Sequence, residues 1–204
     1  MPDPHAPATP LLVSTRNAHK VAEIRAILGD GFDVRDLSAI PGMPDVEESG
    51  ETFEDNAALK ALAASVRFSG WVIADDSGLE VDALGGEPGV RSARYAGEPA
   101  SDAANNALLL KNLEGASSRA ARFRCVIVLA RCGARVAVFS GAVEGEILKS
   151  PRGSAGFGYD PLFVPAGHGE SFAELGAGTK NGLSHRARAL EGLRAWAAAN
   201  RMGA

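Results

Sequence analysis

The chain has 204 residues, of which 46% are hydrophobic and 23% are charged, and its formal net charge is −4 at pH 7. This composition is that of an ordinary globular protein, and the acidic balance argues against a nucleic-acid polymer as partner. No apolar run approaches the roughly 20 residues that span a bilayer, and the N-terminus lacks the features of a signal peptide. We therefore expect a cytoplasmic protein without a membrane partner, in which Cys125 and Cys132 remain reduced.

Strands and helices are predicted to alternate in the first half of the chain. Residues 1–10 are expected to form a disordered leader, and residues 11–204 a single domain. The strand PLLVST precedes a helix in RNAHKVAEIRAILGD, whose apolar residues have helical spacing. FDVRDLSAI predicts a second strand and a turn. Ser49 or Thr52 is expected to cap the next helix, and WVIAD is expected to be a short buried third strand.

The second half is predicted to be richer in β-structure. SDAANNALLLKNLEG predicts a helix capped by Ser101 or Asp102, and ARFRCVIVLAR and ARVAVFSGAVEGEIL predict a hairpin that turns at Cys132-Gly133. SPRGSAGFGYDPLFVP is expected to end in a short strand, and the last helix to start near Ser184. The order of elements indicates an α/β fold with a mixed sheet.

The segment STRNAHK joins the first strand to the first helix. Because a helix N-terminus presents backbone N–H groups and a positive dipole end, it suits phosphate binding. Lys20 would add a charge and Asn17 a hydrogen-bonding amide. The alternative is that Asn17 only caps the helix and that Lys20 is a solvated side chain.

Acidic residues concentrate in two places, Glu47-Glu48 in a loop and Asp75-Asp76 at the expected end of the third strand. Carboxylates that lie close together favour a cation, and Mg²⁺ commonly binds one or two carboxylates together with substrate phosphates. The alternatives are a solvated acidic loop for the glutamates and a turn for the aspartates.

GFGYDP, residues 156–161, places aromatic residues in a glycine-rich loop. Phe157 could stack on a base and Asp160 could accept hydrogen bonds from a purine edge. In the alternative interpretation Phe157 and Tyr159 fill the core, and Asp160 caps a turn.

TKNGLSHRARAL carries the basic residues Lys180, His185 and Arg186, with Ser184 as the expected N-cap. Cations are disfavoured in the first turn of a helix, so two of them there favour a nearby anion or base carbonyl over a solvated helix start. Lys60 is a further candidate that could face the acidic residues. Together these segments favour a nucleotide with a polyphosphate as ligand.

The motifs STRNAHK, TFEDNAALKA, ADDSGLEVDALGGEPGVRSARYAG, GFGYDPLF and SHRARAL resemble, in order and spacing, those of the inosine/xanthosine triphosphate pyrophosphatase family. The resemblance extends from about Leu11 to Trp196. It implies a homodimer with an elongated mixed sheet flanked by helices, in two lobes with a central cleft. It also implies Mg²⁺-dependent hydrolysis of ITP, dITP and XTP to the monophosphate and pyrophosphate, which removes deaminated purines from the nucleotide pool.

The same resemblance assigns roles to individual residues. Asp76 matches the general base and, with Glu47, the metal ligands. Arg16 and His19 stand where the family often has glycine, so the phosphate loop is bulkier and more cationic. Lys60 and Asp75 are expected either to contact the phosphates or to contact the residues that bind the phosphates. The expected substrate contacts are Thr15, Arg16, Asn17, Ala18, His19, Lys20, Ser77, Phe157, Gly158, Tyr159, Asp160, Lys180, His185 and Arg186.

Two other functions stay open at this point. A pyrophosphatase for methylated or otherwise modified nucleotides would use the same chemistry on a different base. A nucleotide sensor would bind ITP without releasing pyrophosphate, although the combined acidic and basic residues favour catalysis.

Overall fold

The computed structural model describes residues 8–202, and this part of the chain forms six β-strands and five α-helices. The elements of the first half are β1 (Thr9–Val13), α1 (Ala18–Leu28), β2 (Phe32–Arg35), α2 (Phe53–Ser65), β3 (Trp71–Val81) and α3 (Asp102–Asn112). Those of the second half are β4 (Ala120–Arg131), β5 (Ala134–Ile147), β6 (Phe163–Pro165), α4 (Gly176–Leu183) and α5 (His185–Ala199).

All six strands belong to one sheet, in the order β2-β1-β3-β4-β5-β6. Strand β1 runs parallel to both β2 and β3, whereas β5 and β6 are antiparallel. The predicted α/β fold with a mixed sheet is therefore confirmed. The predicted hairpin turn is confirmed as well, since Cys132 and Gly133 link β4 to β5 with φ angles of 52° and 78°, as a two-residue hairpin loop requires.

The helix starts follow local rules that the sequence predicts. The hydroxyl of Thr52 accepts a hydrogen bond from the backbone N–H of Asp55 at the start of α2, and Ser101 does the same for Ala104 in α3. The hydroxyl of Ser184 accepts the N–H of Ala187, so α5 begins where the sequence predicts.

The chain divides into two compact units. Unit 1 contains the described residues up to Asp75, Val126–Phe139 and the described residues from Ala189; unit 2 contains Asp76–Cys125 and Ser140–Arg188. Strands β3, β4 and β5 each contribute residues to both units. The first division falls between the two consecutive aspartates.

The core of unit 1 is built on small side chains of α2. Ala57, Ala61 and Ala64 recur at helical spacing and are fully buried. They pack in apolar clusters with residues of the sheet, including Val72 and Val128. Because alanine side chains are short, α2 packs close to the strands.

An aromatic pair lies elsewhere in unit 1. The rings of Trp71 and Trp196 make an edge-to-face contact with centroids 5.7 Å apart. The guanidinium of Arg131 lies 4.8 Å from the Trp71 ring, a cation–π distance.

The core of unit 2 is aromatic. Phe123 contacts Phe163 edge to face at 4.8 Å and Phe172 in a stacked arrangement at 5.9 Å. The imidazole of His185 stacks on Phe123 at 4.9 Å with an interplanar angle of 12°. One end of α5 is therefore held against the aromatic core.

Two strand boundaries and one additional helix differ from the predictions. Strand β3 continues through the aspartates to Val81, so the prediction that the third strand ends at Asp75, and the alternative of a turn there, are both wrong. Helix α4 is an addition, because its glycine-rich sequence does not predict a helix. Strand β1 begins at Thr9, within the expected leader, whereas residues 1–7 of that leader lie outside the described residues.

Among residues 8–202 no helix is long and apolar enough to cross a membrane. Both cysteines are free thiols, Cys125 buried and Cys132 exposed.

Candidate active site

The loop after β1 is shaped by its own side chains. The side-chain oxygen of Asn17 accepts hydrogen bonds from the backbone N–H groups of His19 and Lys20 at 2.9 and 3.2 Å. The Thr15 hydroxyl accepts the N–H of Asn17 at 3.2 Å. Asn17 is thus the N-cap of α1, as the alternative interpretation predicted, while Ala18 and His19 are exposed at the start of the helix.

Lys20 and Asp75 form a buried ion pair in unit 1. The ammonium of Lys20 lies 3.0 Å from the Asp75 carboxylate, and the side chains are 14% and 1% exposed. Lys20 is therefore not a solvated side chain. The pair explains how a carboxylate is accommodated inside a strand, because a buried charge needs a partner of opposite sign.

A second lysine of unit 1 is held in a similar way. The ammonium of Lys60, on α2, donates a hydrogen bond of 2.9 Å to the Glu48 carboxylate. Its backbone carbonyl accepts a hydrogen bond from the Ser14 hydroxyl at 3.0 Å, which ties α2 to the end of β1. The expectation that Lys60 faces the acidic residues is confirmed for Glu48.

Thr15, Arg16, Glu48 and Lys60 line one cavity of about 220 Å³ within unit 1. The lining of this cavity is mixed, because Asp45 and apolar side chains such as Leu37 and Val46 share it with these charged and polar groups.

Arg16 is used as a link between two loops. Its guanidinium pairs with the Asp45 carboxylate and donates to the carbonyl of Met43 at 2.8 Å. Arg16 therefore joins the loop after β1 to the acidic loop that carries Glu47 and Glu48.

Asp76 and Ser77 occupy consecutive positions of β3 in unit 2. Asp76 is 6% exposed, and its Oδ1 accepts the backbone N–H of Ser77 at 3.1 Å. The Ser77 hydroxyl accepts a hydrogen bond of 3.0 Å from Arg186, which is 1% exposed in the first turn of α5. The geometry thus brings the predicted site residue Arg186 next to Ser77, although the two are 109 positions apart in the chain.

The loop around Phe157 is organised by a second buried ion pair. The Asp160 carboxylate accepts hydrogen bonds from Lys180 at 2.7 Å and from the backbone N–H of Phe157 at 2.9 Å. The Lys180 ammonium also lies 4.8 Å from the Phe157 ring centroid. Asp160 therefore caps the turn, and with Lys180 it orients the ring.

Gly156 makes this turn possible. Its φ angle is +79°, and a Cβ at this position would overlap the Asp160 carboxylate. Both the backbone conformation and the close approach therefore require glycine.

The Tyr159 side chain belongs to the core. It is 4% exposed, and its hydroxyl donates a hydrogen bond of 2.8 Å to the carbonyl of Ser92. Burial raises the pKa of this phenol well above its ordinary value of 10. The alternative interpretation was therefore correct for the Tyr159 ring, and the predicted contact of this residue with substrate stays a prediction.

The predicted metal ligands contain only oxygen donors, and Glu47 is exposed. Within residues 8–202 no three His, Cys, Asp or Glu side chains are close enough together to hold a metal ion by themselves. Such a donor set fits Mg²⁺, which takes few protein carboxylates and completes its shell with water and phosphate oxygens.

Sequence reasoning missed the partners that orient the site. Arg16 with Asp45, and Asp160 with Lys180, are pairs that only the fold brings together. It also missed Asp102 and Asn106, which contact Gly158. Their spacing of four residues on one helix was the available signal.

Comparison with known proteins shows which family the chain is similar to. The sequence profile of the Ham1 family matches residues 11–196. The dITP/XTP pyrophosphatase of Shouchella clausii is 50% identical over 186 residues, 90% of this chain and 94% of the relative. That of Geobacter sulfurreducens is 53% identical over 185 residues, 89% of this chain and 93% of the relative.

A solved structure extends the similarity to three dimensions. The structure of the Staphylococcus aureus Ham1 protein superposes with a TM-score of 0.84 at 42% identity. The alignment covers 94% of this chain and 99% of that protein.

Proposed function

This chain belongs to the Ham1 family, and we propose that it is a pyrophosphatase that hydrolyses dITP, ITP and XTP to the monophosphate and pyrophosphate. The observation that carries the proposal is an identity of about one half, over nine tenths of the chain, with relatives named dITP/XTP pyrophosphatase. The geometry supports it, since buried cations, carboxylates and an aromatic loop are the groups that this reaction needs.

The phosphates are assigned to the polar residues of unit 1. Lys20 and Lys60 are each held against a carboxylate, so their ammonium groups are preoriented before substrate binds. A triphosphate brings more negative charge than Asp75 or Glu48, and it would draw these cations to itself. Preoriented charges of this kind stabilise the charge that develops as a phosphoanhydride bond breaks.

Mg²⁺ is proposed as the cofactor, with Glu47 and Asp76 as its protein ligands. When bound with the triphosphate, the ion would neutralise phosphate charge. The carboxylate of Asp76 is also assigned as general base. It would accept a proton from the water that attacks the α-phosphorus, after which pyrophosphate leaves. The N–H of Ser77, which donates to Oδ1 of Asp76, orients this carboxylate.

The purine is assigned to residues of unit 2. Phe157 provides an aromatic face, and the Asp160–Lys180 pair holds its orientation. His185 and Arg186 are the proposed donors to the 6-keto oxygen. Adenine presents an amino group at this position, and a site that leaves buried donors unsatisfied discriminates by factors of about 10⁴.

The proposal is tested with a substrate panel. Purified protein is incubated with Mg²⁺ and ITP, dITP, XTP, GTP, ATP or modified pyrimidine triphosphates, and pyrophosphate release is measured. We expect turnover of ITP, dITP and XTP at least about 100-fold above ATP, as a donor-lined site requires. Turnover confined to modified pyrimidines would indicate the other pyrophosphatase class, and binding of ITP without pyrophosphate release would indicate a sensor.

The general base is tested by Asp76→Asn. The substitution keeps the shape of the side chain and removes its basicity, so turnover of ITP is expected to fall by about 100-fold or more. Thermal unfolding serves as the control for folding. An Asp76→Asn protein with the ITP turnover of the parent would refute the assigned role.

The assembly and the site of action are proposed from the family resemblance. We propose a homodimer that acts in the cytoplasm, with no nucleic-acid polymer and no membrane as partner. Light scattering coupled to gel filtration measures the mass in solution, and a mass of one chain at micromolar concentration would contradict the dimer.

A further inference from the structure

Helix α3 holds both backbone polar groups of Gly158. The Asp102 carboxylate accepts a hydrogen bond of 2.6 Å from the Gly158 N–H, and the Asn106 side-chain amide donates one of 3.0 Å to the Gly158 carbonyl. The two residues are four positions apart, so they lie one above the other on the same face of α3. We call this arrangement the α3 clamp.

The clamp fixes two consecutive peptide planes. The Gly158 N–H belongs to the peptide that follows Phe157, and the Gly158 carbonyl to the peptide that precedes Tyr159. The N–H of Phe157 is bound by Asp160, and the Tyr159 hydroxyl by the carbonyl of Ser92. The backbone on both sides of the Phe157 side chain is therefore held, and part of this hold comes from a helix with no residue among the predicted substrate contacts.

The Asn106 side chain makes a hydrogen bond with only one of its two polar atoms within the described residues. Its side-chain oxygen is buried and makes no hydrogen bond within the described residues, although its amide nitrogen is bound to Gly158. A buried acceptor without a partner is unfavourable, so such a group in a folded protein calls for an explanation. The bond from the Asn106 amide nitrogen to the Gly158 carbonyl supplies one, because it offsets part of this cost.

We infer that Asp102 and Asn106 are positioning residues for purine recognition, which act by holding the Gly158 backbone and thereby the orientation of the Phe157 ring. The inference rests on the proposed function and adds to it two residues that do not touch the substrate. Without the clamp, ordering of the loop would have to accompany binding. The free-energy cost of this ordering weakens binding of the ground state and of the transition state equally, so KM rises and kcat does not change.

The test uses Asp102→Ala and Asn106→Leu, each of which removes one side of the clamp. For ITP we expect KM to rise about 10-fold and kcat to stay within about 2-fold of the parent. Asp102→Asn keeps an acceptor oxygen for the Gly158 N–H and is expected to restore most of the affinity. Glu54→Ala is the matched control, because it removes an acidic residue from the first turn of α2 in unit 1.

Two further measurements separate positioning from a general loss of structure. The inhibition constant of IMP, which contains the purine, is expected to rise about 10-fold in the clamp variants, and that of pyrophosphate to stay unchanged. Hydrogen exchange of the peptide over residues 156–161 is expected to accelerate in the same variants and not in Glu54→Ala.

The outcomes distinguish this inference from the proposed function. If the parent hydrolyses ITP and the clamp variants keep its KM and its inhibition constant for IMP, the inference is overturned. Equal weakening of IMP and pyrophosphate binding also overturns it, because the role is then structural. If the parent releases no pyrophosphate from ITP, the proposed function fails, and IMP binding with hydrogen exchange alone decides on the clamp.

Discussion

Replacing Lys20 by methionine removes the cation from a buried ion pair and leaves a chain of similar length. Asp75 is 1% exposed, so its carboxylate would lose the Lys20 ammonium without gaining water in exchange. Breaking a buried pair from one side costs about 3–5 kcal/mol. For a chain of this size, 3 kcal/mol corresponds to a fall in Tm of roughly 6–12 °C.

A second substitution separates stability from activity. In Lys20→Met/Asp75→Asn the buried carboxylate is gone, so most of the lost stability is expected to return. Activity is not expected to return, because Lys20 is proposed to contact the phosphates. Loss of a hydrogen bond to a charged group lowers kcat/KM by roughly 10- to 100-fold.

Urea unfolding followed by far-UV circular dichroism measures the free energies of unfolding, and pyrophosphate release from ITP measures kcat/KM. Arg35→Met is the control, because Arg35 and Asp33 form an exposed pair of the same unit, for which a change of about 0–1 kcal/mol is expected. If Lys20→Met costs no more than this control, the argument from burial is refuted. A double variant with the kcat/KM of the parent would refute the phosphate contact.

Two further predictions concern glycines and tyrosines. Gly156→Ala is expected to raise KM for ITP about 10-fold, because its Cβ would displace the Asp160 carboxylate. Gly167→Ala is its matched control, since Gly167 lies in the same unit and has a similar positive φ angle of +83° but open space around a Cβ. Steady-state kinetics measure KM for both variants. Burial raises the pKa of Tyr95 and of Tyr159 above 10, so the native protein binds more protons than the unfolded one above that pH. Stability should therefore fall as pH rises beyond 10, and phenolate absorbance should show native tyrosines titrating later than in urea; equal titration would contradict this.

Local signals in the sequence were sufficient for much of the fold. Caps such as Thr52 and Ser101 act within one helical turn, so their role is readable from nearby residues. The turn at Cys132-Gly133 is similarly local. The extent of β3 was not predictable in this way, because Asp75 is accommodated by Lys20, which is 55 positions earlier in the chain.

In the candidate site, too, some features follow from nearby residues and others only from tertiary contacts. Asn17 follows a local rule as the cap of α1, and Ser184 as the cap of α5. Helix α4 contains three glycines in eight residues, so propensity argues against it, and its Lys180 is bound to Asp160 by a contact that only the fold creates. Residue types therefore indicate which chemistry is available, and tertiary pairing decides which side chains orient the others.

The placement of the aromatic residues gives this protein two built-in optical reporters. Its two tryptophans, Trp71 and Trp196, both lie in unit 1, and its two tyrosines, Tyr95 and Tyr159, both lie in unit 2. Indole emission therefore follows one half of the molecule and phenol absorbance the other, without any label. Denaturation curves recorded from the two chromophores would coincide if both halves melt as one cooperative body, and would separate if each melts alone.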